Sequence, residues 1–236
     1  MDKKLRELQL KTLRVFSKSA KTFALCGGTA LELYYLKHRF SADLDFFSPS
    51  FKQPEIENII NNLKTVSKSK IKLENELFLP DKARVRFYSF ALGGSGRPLK
   101  IDFVEDLFFK NPDIKKIDGV RVYSVNNIYL QKILAITGSR PEFDEIGREV
   151  MQGRRAAKDI FDIYCLSKKI MPLHKFLKSV SGVLQRGMVH WYRSFSRQEL
   201  KLGLLDLDIY DKKFDSQQMI IYLENEIKKF IAEAMY

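Results

Sequence analysis

"FALCGGTALELYYLKHRFSADLDFFSP", residues 23–49, sets two glycines between an apolar run and a helix-like run, then places two aspartates one residue apart before Phe46 and Phe47. Residues 22–26, "TFALC", have the length and apolar content of a short buried strand. "GGTALELYYLKH" turns through Gly27 and Gly28 into a helix, with Ala30, Leu31, Leu33, Tyr34 and Leu36 on its apolar side. "DLDFFS" reads as a second strand. Alternation sends Leu44 and Phe46 to one face and Asp43, Asp45 and Phe47 to the other. Two carboxylates so close repel each other in low-dielectric surroundings. A bound Mg²⁺, which prefers hard oxygen ligands, relieves that repulsion. D-x-D alone fits a solvated surface pair or a turn equally well.

A third carboxylate strengthens the metal reading. Asp102 in "LKIDFV" is the one charge inside the apolar run Ile101–Val104. Asp43, Asp45 and Asp102 are therefore expected to converge on one metal site. Glycine permits close backbone approach to a phosphate, and free N–H groups at a helix start favour an anion. Gly27 and Gly28 suit that role, although many strand–helix connections use such a turn. Thr29 is placed to cap the helix or touch the phosphate. The Ser41 hydroxyl either shapes the turn before Asp43 or binds a triphosphate.

Around this segment the pattern is mixed α/β. Residues 3–20 read as a charged amphipathic helix with Leu5, Leu8, Leu13 and Phe16 towards the core. "QPEIENIINNLKTV" reads as a helix with Pro54 near its start. "KIKLENELFL", "ARVRFYSFAL", "RPLKIDFVED" and "GVRVYSV" read as strands, the second and third joined through "GGSG" as a hairpin. From Val125 the pattern turns helical: "NNIYLQKILAITGS", "GREVMQGRRAAKDIFDIYCLSKK", "PLHKFLKSVSGVLQ" and "SQQMIIYLENEIKKFIAEAMY". The shift places a domain boundary between residues 1–124 and 125–236, and the class is α+β.

The chain has 236 residues, enough to bury a substantial core. No apolar run is long enough to span a membrane, and the first residues lack the apolar core of a secretory signal. Cys26 and Cys165 lie in apolar runs without a CxxC motif, so free buried thiols and a cytoplasmic location are expected. Forty-one Lys and Arg against 29 Asp and Glu give a formal charge of +12. That excess attracts polyanions, nucleic acid above all.

Taken together, Gly27, Gly28, Thr29, Ala30 and Leu31, followed by Arg39, Ser41, Asp43, Leu44, Asp45 and Phe46, resemble the signature of the nucleotidyltransferase-fold AbiEii/AbiGii toxins, which are related to the MenT toxins. The likeness continues in Lys132 of "NNIYLQKILAI" and in "RRAAKDIFDIYCLSK", with Arg155, Asp159, Asp162 and Leu166. It covers most of residues 20–170, and the long charged stretch "TGSRPEFDEIGREVMQG" departs from it. The resemblance implies a nucleotidyltransferase-fold mixed sheet flanked by helices, then a helical C-terminal region. It implies transfer of a nucleoside monophosphate from an NTP with Mg²⁺, two ions being expected, to an RNA acceptor such as a tRNA 3′ end. It also implies a toxin with a cognate antitoxin protein as partner. Within it, Asp43, Asp45, Lys132 and Asp159 are the catalytic candidates; Gly27, Gly28, Thr29, Arg39 and Ser41 are those for the nucleotide. Lys132 and Asp159 are expected to point from helices into the cleft beside Asp43, the lysine as a point charge on the NTP phosphates. The alternative for Asp159 is a plain salt bridge to Arg155.

Other readings stay open. The same fold serves transferases that modify a protein or small molecule, and a degenerate member would only bind nucleotide or RNA. "RGMVHWYRSFSRQELK", residues 186–201, interleaves arginine with aromatics, which suits RNA, or a helix with an aromatic core face and a solvated basic face. His38, His174 and His190 are scattered and read as packing or surface residues. "GSGR", 94–97, lacks the lysine of a phosphate-binding loop and reads as a hairpin tip.

Overall fold

The computed structural model describes residues 2–67, 70–78, 82–91, 97–138, 141–143, 149–151 and 153–234. The chain divides into two compact units. The first comprises Met1–Tyr35 and Phe40–Asn127, the second Leu36–Arg39 and Ile128–Tyr236.

The first unit is built on a seven-stranded mixed sheet. Its strands are β1 (Ala24–Cys26), β2 (Leu44–Ser48), β3 (Ile71–Leu77), β4 (Val85–Phe90), β5 (Leu99–Glu105), β6 (Ile114–Ile117) and β7 (Val120–Tyr123). They lie in the order β3-β4-β5-β2-β1-β7-β6. β2 runs parallel to β5, and β1 parallel to β7; the remaining neighbours are antiparallel. Helices α1 (Lys3–Ser19) and α3 (Gln53–Ser67) belong to this unit. So does α2 (Gly27–Ala30), which passes directly into a π-helical turn, Leu31–Leu36. The Asp2 carboxylate caps α1 by accepting from the Leu5 N–H at 3.1 Å. The core is aromatic. Phe16 of α1 stacks on Phe46 of β2 with ring centres 3.9 Å apart, and Phe103 of β5 packs against both Phe46 and Phe23.

The second unit is helical. It takes most of α4 (Val125–Thr137), then α5 (Ala157–Lys169), α6 (Leu173–Lys178), α7 (Gly182–Ser194), α8 (Arg197–Leu205) and α9 (Ser216–Ala234). Tyr129 of α4 stacks on Phe176 of α6 at 4.0 Å, and Leu223 and Ile227 of α9 are buried. Two glycines allow close helix packing here. A Cβ on Gly187 of α7 would meet the Thr137 Cβ at 2.8 Å, and one on Gly203 of α8 would meet the Ala157 Cβ at 2.8 Å.

The expected α+β class holds, with local differences. β2 starts at Leu44, so Asp43 lies in the loop before the strand. β6 was not anticipated; only Ile114 and Ile117 of "IKKI" are apolar, too few to set a period. The helix expected from residue 147 starts at Ala157. Residues 149–151 instead form strand β9, paired with β8 (Pro141–Phe143), and Gly153 sits where any Cβ would strike the Ile136 carbonyl oxygen at 2.1 Å. "PLHKFLKSVSGVLQ" divides into α6 and α7 around Ser179–Ser181, and α8 is an additional helix. The "GGSG" tip lies outside the described residues, although β4 and β5 pair antiparallel as its hairpin reading requires.

Candidate active site

In the first unit, the parallel pairing of β2 and β5 sets Asp45 directly opposite Asp102. Side chains at paired positions of parallel strands leave the same face. Along β2, Leu44, Phe46 and Ser48 are buried while Asp45 and Phe47 are half-buried; along β5, Ile101 and Phe103 are buried while Asp102 is half-buried. The two acids thus share the accessible face of a sheet whose opposite face is the aromatic core. On its other side Asp45 pairs with Cys26, the residue before Gly27. Gly27 adopts φ +69°, and a Cβ there would lie 2.4 Å from Asp45 Oδ2. Glycine is therefore required twice, for its dihedral and for the space that the carboxylate occupies.

The loop carrying Asp43 is held from three directions. Gln9 of α1 donates from Nε2 to the carbonyls of Ser41 (2.8 Å) and Ala42 (2.9 Å). The buried Thr29 hydroxyl donates to the Asp43 carbonyl. The Ser41 N–H donates to Glu32 Oε2 at 2.8 Å, and Glu32 is ion-paired with Arg6. Here the Thr29 hydroxyl bonds the Asp43 carbonyl, and Ser41 joins the loop network through its N–H and carbonyl. Among the described residues the Asp43 Oδ1 atom is buried without a hydrogen-bond partner, and the Arg97 guanidinium stands 3.8 Å away, beyond hydrogen-bonding reach. Arg97 is the last residue of "GSGR", read in the sequence as turn chemistry alone.

Gln9 was missed by the sequence reading, although a signal exists. Leu5, Gln9, Thr12, Leu13 and Phe16 follow one helical stripe, and all are buried. A glutamine in that stripe needs polar partners inside the fold.

The second unit collects the remaining candidates around Asp162. Arg39 closes a fork on it, Nε to Oδ1 at 2.7 Å and Nη2 to Oδ2 at 2.8 Å. His38 Nε2 lies 2.7 Å from the same Oδ1, and its ring stacks parallel to Phe161. Lys132 Nζ bridges Asp162 Oδ2 (2.8 Å) and Asp159 Oδ1 (2.7 Å). Arg154, not Arg155, reaches Asp159 Oδ2 at 3.1 Å. Lys132 is 6% exposed, Arg39 4%, and both aspartates 0%. Burial by itself would raise the Asp162 carboxyl, but Lys132 and Arg39 hold it well below the usual carboxylate range. Burial likewise favours neutral Lys132, and Asp162 and Asp159 outweigh it, raising the ammonium above its ordinary value. Lys132 and Arg39 are thus committed to carboxylates in this structure.

Among the described residues, no three Asp, Glu, His or Cys side chains form a ready-made metal-binding group. The donor chemistry of the first unit still fits a hard divalent ion. Asp45 and Asp102 present oxygens from one register position, and Asp43 adds an orphaned oxygen.

A family model described as "Nucleotidyl transferase AbiEii toxin, Type IV TA system" matches residues 10–232. No curated protein matches the chain. Two crystal structures from Helicobacter pylori share its fold. One, of a candidate nucleotidyltransferase, is 18% identical with a TM-score of 0.64, covering 99% of this chain and 97% of that one. The other, of JHP933, is 19% identical with a TM-score of 0.62, covering 100% of this chain and 97% of that one. At these identities the likeness is one of fold.

Proposed function

The chain belongs to the AbiEii nucleotidyl transferase toxin family of type IV toxin–antitoxin systems, and from that premise we propose that this nucleotidyltransferase moves a nucleoside monophosphate from an NTP to the 3′ end of an RNA, with tRNA as the acceptor class. The observation that carries this reading is the register of Asp45 against Asp102 beside the Gly27 turn. Acids aligned on an accessible sheet face, with Asp45 seated directly against the Gly27 backbone, give a triphosphate and its counter-charge a fixed place to approach. Asp45 and Asp102, with Asp43 as third donor, would hold Mg²⁺. When bound, such an ion neutralises phosphate oxygens.

The protein's own part is placement and charge. The acceptor hydroxyl oxygen forms a bond to the α-phosphorus, the bond from that phosphorus to the bridging oxygen of the β-phosphate breaks, and pyrophosphate and a proton leave. Gln9, Thr29 and Glu32 keep the Asp43 loop in one conformation, so the carboxylates need not reorganise as charge moves. The backbone of the Gly27–Gly28 turn is the candidate contact for phosphate oxygens. Lys132 and Asp159 stay catalytic candidates by the family resemblance; within the second unit they are paired with each other at 2.7 Å. The +12 charge supports a polyanionic acceptor over a cationic small molecule. A cognate antitoxin protein is the expected partner in the cell.

The test incubates the protein with each α-labelled NTP, Mg²⁺ and total tRNA. Label should appear in the RNA for one or a few nucleotides, and Asp45→Asn should abolish the transfer while retaining the wild-type melting profile. If label reaches protein or a small acceptor but never RNA, the acceptor assignment fails. Wild-type rates in Asp45→Asn would remove the carboxylate face from the chemistry.

A further inference from the structure

The arginine–aromatic segment 186–201 divides into three parts in the second unit. Trp191 and Phe195 stack on each other at 4.5 Å, with Trp191 buried, so neither offers an open platform for a base. Arg197 lies over Phe195 and donates to Glu224 at 2.6 Å, which occupies its guanidinium. Arg186, His190 and Arg193 remain. They follow one another at i, i+4 and i+7 along α7, opposite the face that buries Leu184, Gly187, Met188 and Trp191, and all three are exposed. Together with Gln185 of α7 and Phe230 of α9 they line an open groove of about 380 Å³. No acid lines it. Among the described residues neither Arg186 nor Arg193 has an ion-pair partner, and the nearby acid Glu233 is bound to Lys178 at 2.7 Å.

We propose that this α7–α9 groove docks the phosphate–sugar backbone of the RNA acceptor; the inference rests on the RNA reading above. Arg186 and Arg193 stand about 10 Å apart along the helix axis at 1.5 Å per residue, so a strand lying along α7 meets them at different phosphates. His190 and Gln185 add donors between and beside them. Charge complementarity selects the occupant: a wall whose described residues carry two arginines and no acid attracts a polyanion and repels a basic surface.

The experiment measures anisotropy of a labelled, unstructured RNA of about 20 nucleotides with the full chain, across salt from about 50 to 200 mM. Arg186→Ala/Arg193→Ala should weaken binding at least tenfold. It should also reduce the slope of log affinity against log salt by about 1.4, two single-strand phosphate contacts. Arg186→Lys/Arg193→Lys should retain most of the affinity. Lys3→Ala/Lys4→Ala removes the same charge from exposed positions of α1 and should change affinity less than twofold. If the alanine pair melts early, the Arg186→Glu single variant carries the test, again with at least tenfold weakening expected. Wild-type RNA binding that these groove variants leave intact overturns the groove and spares the RNA reading. Equal weakening by the Lys3/Lys4 pair also overturns it, because net charge alone then suffices. Absence of RNA binding by the wild type overturns both.

Discussion

Gly27 shows how much one missing methyl group can decide. Its left-handed dihedral costs an ordinary residue about 1–2 kcal/mol, and a Cβ would also displace the Asp45 carboxylate from 2.4 Å. Gly27→Ala is expected to lower nucleotidyl transfer by roughly 10²–10³-fold, the range seen when a preorganised electrostatic group is lost, while the chain still folds. Steady-state rates beside a thermal melt check this, and a Gly27→Ala enzyme of normal rate would show that the carboxylate tolerates displacement. The turn itself could be read in the sequence, because two glycines between a strand and a helix mark a sharp connection, but the contact of Gly27 with Asp45 could not. Nor could the loop contact of Thr29. A hydroxyl beside a glycine turn serves a phosphate or a loop equally well, and only its partner, the Asp43 carbonyl, distinguishes them.

Helix α1 acts on the site through Gln9, which carries the Ser41 and Ala42 carbonyls on one amide. Gln9→Ala leaves both without that donor, and a buried unsatisfied group costs about 1–3 kcal/mol. The expected outcome is a lower melting temperature and a slower rate at saturating NTP, because the Asp43 loop loses its fixed conformation. Helices α4 and α5 meet through Lys132. Lys132→Ala removes the cation shared by Asp159 and Asp162 and should destabilise the protein by about 3–5 kcal/mol, read by denaturant unfolding. Arg155→Ala should leave stability unchanged, since the arginine on Asp159 is Arg154. The helical half was legible where its apolar period ran unbroken, as in α9. It was misread at residues 149–151, where the backbone pairs as a hairpin, and at Ser179–Ser181, where the chain turns within an otherwise helical pattern.

For the molecule as a whole, the buried cluster sets limits in pH. The Asp162 carboxyl is held well below its ordinary value of 3.8. Its contribution to stability is complete above that value and is lost as pH falls through the depressed folded value. Lys132 is raised above 10.5. Its contribution is complete below 10.5 and is lost as pH climbs through the raised folded value. Between those limits these two groups add no slope to the stability curve. Asp162→Asn should therefore flatten the acid limb in denaturant titrations below about pH 4, and an unchanged acid limb would place the acid-sensitive groups elsewhere.

The second unit is not written in one piece: His38 and Arg39 precede the rest of it by almost ninety residues of the first unit. On the ribosome, at about 5–20 residues per second, the guanidinium that forks onto Asp162 is therefore made several seconds before the carboxylate it waits for. No cut at a single peptide bond liberates this unit whole. A fragment beginning at Ile128 is born with Asp162 lacking both its histidine and its arginine, and it should regain order when a peptide spanning Leu36–Arg39 is supplied in trans.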